Sequence, residues 1–138
     1  MMQFPFYGGI MGIMADSGLT AILAAALIKI ADADTLPFFT YVSASVVNLF
    51  VPSQGGQWIV QGPIIVEAAK SLNVEIPVLL NAFVYGDEAT NLIQPLYIIP
   101  ALALVNMKLK EVWGFMAFIW VIWFIVTSIG LLIIPMFF

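Results

Sequence analysis

The chain has 138 residues, of which 63% are hydrophobic and 9% charged, with a net charge of −4. Soluble domains carry roughly 25% charged residues, so this composition cannot cover a water-facing surface and reads as an integral membrane protein whose main partner is the lipid bilayer. With four Lys, no Arg, no Cys and no His, it excludes a nucleic-acid footprint, disulfides, thiolate or zinc sites and Ser-His-Asp catalysis.

The start, MMQFPFYGG, lacks the basic segment of a secretory signal peptide. Two readings of the N-terminal third stay open. Residues 7–30 can form one span with Asp16 at its centre, at a cost of roughly 3 kcal/mol. The reading preferred here ends a transmembrane helix at 1–14 and starts an interfacial or connecting helix at 16–33, because ADSG is a stop-and-restart signal. Residues 1–14 would then make only about 21 Å of helix, too short to cross alone, so the chain is expected to begin inside a helix of a longer protein.

Next comes an uncharged stretch, NLFVPSQGGQWIVQGP, flanked by the apolar arms 36–52 and 57–71. Each arm makes about 23–26 Å of helix, marginal for a crossing. Two such arms around a Pro- and Gly-rich tip predict a re-entrant hairpin over 36–71. Irregular backbone at membrane depth persists only where it is buried in protein or lines a cavity. Ser43, Ser45 and Asn48 on the first arm suit hydrogen bonds to a neighbouring helix or a place on a pathway.

Residues 77–105 are long enough to cross but carry GDEATN near their middle. Gly86 suits the end of one half-helix, Asp87 or Thr90 the cap of a second, and Pro95 its first turn. The segment reads as a broken transmembrane helix. The last span, 112–136, opens on 23 charge-free residues, about 34 Å of helix. Lys108 and Lys110 before it place the loop in the cytoplasm and the C-terminus outside, with the hairpin open to the outside.

Two interruptions at membrane depth are how secondary transporters build a substrate site. Half-helix starts offer N–H groups to an anion, and half-helix ends offer carbonyls to a cation. The candidate substrate-binding residues are therefore Ser53, Gln54, Gly55, Gly56, Gln57, Thr90 and Asn91, with Asp87 as the coupling-ion candidate, for a proton or sodium. A small carboxylate would be held here without a buried Arg. A plain turn at 53–57 and a loop between two short helices at 86–91 are the structural alternatives. No nucleophile–base pair, metal site or cofactor motif is visible, so the chain is not read as an enzyme.

QFPFYGGIMGIM, NLFVPSQGGQWIVQGPI and GDEATNLIQP resemble the short-chain fatty acid transporter family, within the wider ion transporter superfamily. The resemblance covers essentially the whole chain. It implies an all-α membrane protein with a re-entrant helical hairpin and a broken transmembrane helix, one half of an inverted-repeat transporter. Family members are roughly three times this length, and this chain resembles only their C-terminal part. Gln54 stands where members often have Gly, and Asp87–Glu88–Ala89 where they have a bulkier triplet. The implied function is secondary transport of short-chain fatty acids in a bacterial-type inner membrane, as a multi-pass protein whose other partner is the missing N-terminal repeat or a second copy. The alternative is a small oligomeric binding or assembly subunit, inactive in transport alone.

Overall fold

A computed structural model of the chain describes residues 29–133 continuously, together with Gly9, Gly12, Ile13, residues 16–19, Ile22, Ala25 and Ala26. The helices expected at 1–14 and over most of 16–33 lie outside the described residues. Between them Gly18 takes φ +70°, the left-handed conformation that glycine adopts without penalty.

Five helices are complete among the described residues, and no strand occurs there: α1 Leu36–Asn48, α2 Gln54–Leu72, α3 Ile76–Asn91, α4 Pro95–Leu104 and α5 Leu109–Ile133. Proline sets three of the starts. Pro37, Pro77 and Pro95 all sit in a first turn, where the missing N–H leaves no helical bond unmade. α2 ends on Asn73 in the left-handed conformation, its N–H returning to the Ala69 carbonyl. Glu111 closes the start of α5 by accepting from the Lys108 N–H at 3.1 Å.

The centre of the fold is the crossing of α1 and α3, which has no room for a side chain. A Cβ on Gly86 would run into the Tyr41 carbonyl oxygen and lie 2.7 Å from the Ala44 Cβ and 3.1 Å from the Ser45 nitrogen. Small residues that let two backbones meet are the usual device of helix packing in lipid, where burying apolar surface gains little. α2 closes one side, with Ile65 and Ala69 packed among Leu36, Ala44, Leu79 and Phe83. On another side Leu131 and Phe124 of α5 pack against Tyr41, Ala82 and Ala89.

Among the described residues only α5 is both long and apolar enough to cross a membrane. Its 25 residues make about 38 Å of helix. Most of its large side chains lie bare, including Phe115, Phe118, Ile125 and Val126, as suits a helix whose solvent is lipid.

Both expected interruptions are displaced. The sequence predicts the tip at Ser53–Gln57, but the turn occupies 49–53, and Gln54–Gln57 form the first turn of α2. Ser53 is a good N-cap, and Gly55 and Gly56 sit in a first turn where little helical bonding is at stake. The sequence predicts the break at Gly86–Thr90, but α3 runs through to Asn91 and the chain leaves the helix at 92–94. Gly86 is there for close approach, in the helix interior, and Asp87 and Thr90 cap nothing. The cap of α4 is Gln94, ahead of Pro95.

Candidate functional site

The hairpin arms are joined by amides. Gln57 and Gln61, one turn apart on α2, are fully buried against α1. The Gln57 Nε2 donates to the Ala44 carbonyl at 2.9 Å and to Gln61 Oε1 at 2.7 Å, and Gln61 Nε2 donates to Ser43 Oγ at 2.9 Å. The Gln57 Oε1 is buried without a donor.

A second network joins α1 to α3, just past the Gly86 crossing. The Ser45 hydroxyl lies 2.9 Å from the Tyr41 carbonyl and 3.1 Å from the Gly86 carbonyl. Asn48 Nδ2 meets three acceptors: the Asp87 carbonyl at 2.7 Å, Thr90 Oγ1 at 2.8 Å and Asn91 Oδ1 at 2.8 Å. An amide nitrogen has two hydrogens, so oxygens outnumber donors here. Asn91 Nδ2 donates in turn to Asp87 Oδ2 at 3.2 Å. Asp87 is 2% exposed, and both its Oδ1 and the Asn48 Oδ1 are buried without a donor.

The displaced tip meets the displaced break. Gln94 Nε2 donates to the Leu49 carbonyl at 3.3 Å, and the Tyr97 hydroxyl donates to the Pro52 carbonyl at 2.6 Å. Trp113 of α5 holds the other side of the break, donating from Nε1 to the Ile93 carbonyl at 3.2 Å. At the start of α2 the Gly56 N–H goes to Ser53 Oγ at 3.4 Å and the Gln57 N–H to the Ser53 carbonyl at 2.7 Å. The N–H groups of Gln54 and Gly55, which have no intrahelical acceptor, stay open on an exposed turn.

The candidate residues thus divide into three places. Ser53, Gln54, Gly55 and Gly56 line the start of α2. Gln57 faces inward and braces the hairpin. Asp87, Thr90 and Asn91 gather around Asn48. Two contacts bring the hairpin to the interrupted segment, Asn48 with the end of α3 and the 49–52 turn with Gln94 and Tyr97. Gln61, Gln94 and Tyr97 were missed. Gln61 follows Gln57 by four residues, which puts both amides on one helical face, and Gln94 directly precedes the proline that starts α4.

The description "Short chain fatty acid transporter" belongs to the family whose sequence pattern matches residues 1–134. Two relatives, each named "Putative short-chain fatty acid transporter", come from Escherichia coli (strain K12) and Haemophilus influenzae (strain ATCC 51907 / DSM 11121 / KW20 / Rd). They are 36% and 35% identical over 115 residues, 83% of this chain. The chain spans 26% of the length of each. No solved structure matches it. The chain belongs to the short-chain fatty acid transporter family. That is a family of transporters rather than enzymes, and no metal-binding cluster of acidic side chains occurs among the described residues.

Proposed function

We propose that this chain supplies the C-terminal repeat of a secondary transporter for short-chain monocarboxylates in a bacterial-type inner membrane. In this reading α1 and α2 form a re-entrant hairpin, α3 and α4 form one interrupted crossing, and α5 is a full span with its C-terminus outside. Ser53, Gln54 and Gly55 offer their donors to the substrate carboxylate, and Gly56 fixes the Ser53 hydroxyl beside them. Gln57 holds the hairpin in shape from behind. Asp87, with Asn48, Thr90 and Asn91, takes the coupling ion, a proton or sodium.

The observation that carries this reading is the surplus of buried acceptors around Asp87, beside an uncharged turn in an apolar chain. A buried carboxylate oxygen without a donor is costly, and a proton or a small cation would satisfy it. The carboxylate substrate has a different attraction: the open N–H groups of Gln54 and Gly55 at a helix start. Anion and cation would then bind at the start of α2 and at the end of α3 where it packs on Asn48 of α1, and the hairpin would couple them.

The test is uptake of labelled butyrate into liposomes, by the chain alone and by the chain supplied with an N-terminal half from a relative. Saturable uptake is expected only in the second case. Saturable uptake by the chain alone would favour a homo-oligomer. Absence of uptake in both would leave the assembly-subunit reading.

A further inference from the structure

A cleft of about 360 Å³ lies between the start of α2 and the middle of α3, lined by Gln54, Gly55, Trp58, Leu80, Phe83 and Val84. This volume falls within the range of small-ligand pockets, roughly 300–1,000 Å³. Its two kinds of lining come from different places. The first turn of α2 brings the open amides of Gln54 and Gly55, and one turn later Trp58 begins an apolar wall completed by α3.

The wall is held in a defined position. Gly62 lies one turn beyond Trp58, and a Cβ there would stand 2.8–3.2 Å from three atoms of the indole. The indole therefore lies back along α2 because residue 62 has no side chain. From that position it meets Phe83 of α3 edge to face, ring centres 5.0 Å apart. Gly62 sets how far the indole is withdrawn, and so how wide the cleft stands.

We propose that this cleft is the acyl-tail subsite, and that Trp58, seated on Gly62, together with Leu80 and Val84 sets the chain length of the acid accepted. The inference rests on the reading of the protein as a carboxylate transporter. A short-chain fatty acid is a carboxylate followed by a few methylenes, and the cleft presents Gln54 and Gly55 at a helix start, a place suited to an anion, followed by apolar side chains. Neither feature alone would name the ligand. Their order along one cleft matches its chemistry.

The experiment uses the full 138-residue chain in lipid nanodiscs, with fluorine-labelled tryptophan and acids from acetate to hexanoate. The Trp58 resonance is assigned with Trp58→Phe. Binding is expected to tighten about four-fold per methylene buried and to move the Trp58 signal. Leu80→Ala, at a position 42% exposed, should shift the best acid to a longer one. Gly62→Ala, which pushes the indole into the cleft, should weaken the longer acids while leaving acetate unchanged. Circular dichroism reports whether that variant folds, and the Leu80 variant carries the test if it does not. Two results would overturn the subsite while sparing the carboxylate reading. One is binding whose length profile is the same in both variants with a still Trp58 signal. The other is a Trp58 shift produced equally by hexanol, which marks a lipid-facing groove. If no acid binds the chain alone, the titration is repeated on the chain supplied with the N-terminal half of a relative, and absence of binding there overturns the transporter reading and the subsite with it.

Discussion

Replacing Gly86 by alanine tests the packing at the centre of the fold. The added methyl would overlap the Tyr41 carbonyl, lie 2.7 Å from the Ala44 Cβ and 3.1 Å from the Ser45 nitrogen. Two of these neighbours are backbone of α1, so no side chain can turn away, and the helices must part. Overpacking of this kind costs about 1–3 kcal/mol. Parting α1 from α3 also lengthens the hydrogen bonds from Ser45 to the Gly86 carbonyl and from Asn48 to the Asp87 carbonyl, at roughly 0.6 kcal/mol each between helices in a membrane. The expected loss is about 2–4 kcal/mol, read from reversible unfolding in mixed micelles. Ala44→Gly removes the one side-chain contact and should recover only part of this loss, since the Tyr41 carbonyl remains. A Gly86→Ala variant within about 0.5 kcal/mol of the parent would refute the crossing. Full rescue by Ala44→Gly would refute the claim that backbone contact is the obstacle.

Asn48→Ala leaves the Asp87 carbonyl, Thr90 Oγ1 and Asn91 Oδ1 without their shared donor and should cost about 1–3 kcal/mol; Asn48→Asp, which adds a second carboxylate beside Asp87, should cost more in the same unfolding assay. Tyr97→Phe removes the 2.6 Å bond to the Pro52 carbonyl, and hydrogen exchange at Phe50, Val51 and Ser53 should speed up while that of α2 stays as it was. Trp120→Phe should be neutral in stability, because the Trp120 Nε1 is buried without an acceptor and its loss leaves nothing unpaired. In the assembled transporter, Asp87→Asn should change the sodium or pH dependence of uptake; a change in stability alone would reduce Asp87 to a structural brace.

Composition and breaks were legible in the sequence, but exact positions were not. The bare α5 follows from a charge-free run, and the helix–turn–helix at 36–72 from two apolar arms around Pro52. The positional errors share a cause. Glycine permits both a chain reversal and a close helix contact, and only the partner helix decides between them. Gly86 faces α1, so it serves contact, and the helix continues past it. Gly55 and Gly56 follow a serine that caps, so they join the helix instead of the turn. The pairing of Asn48 with the end of α3 was beyond reach for a related reason. Its offset from Ser45 shows a polar face on α1, but the face of α3 that meets it depends on where Gly86 lets the helices cross.

The hydrogen bonds also decide which parts of the chain can move. The hairpin arms are joined by Gln57, Gln61 and Ser43, and α1 is joined to α3 by Ser45 and Asn48. The turn between the arms is joined to α4 through Gln94 and Tyr97. Sliding the hairpin along α3 would expose or unpair several buried polar groups at once, each at a cost of about 1–3 kcal/mol, and would drag the Gly86 backbone across Ala44. Opening the turn from α4 breaks only two bonds, at a partly buried edge. Among these helices the easy motion is therefore a local release of 49–53 from Gln94 and Tyr97, with α1, α2 and α3 moving together as one body. In the proposed transporter, substrate access would come from displacing that body against the rest of the protein, and the turn would act as the element that senses whether α4 is in place.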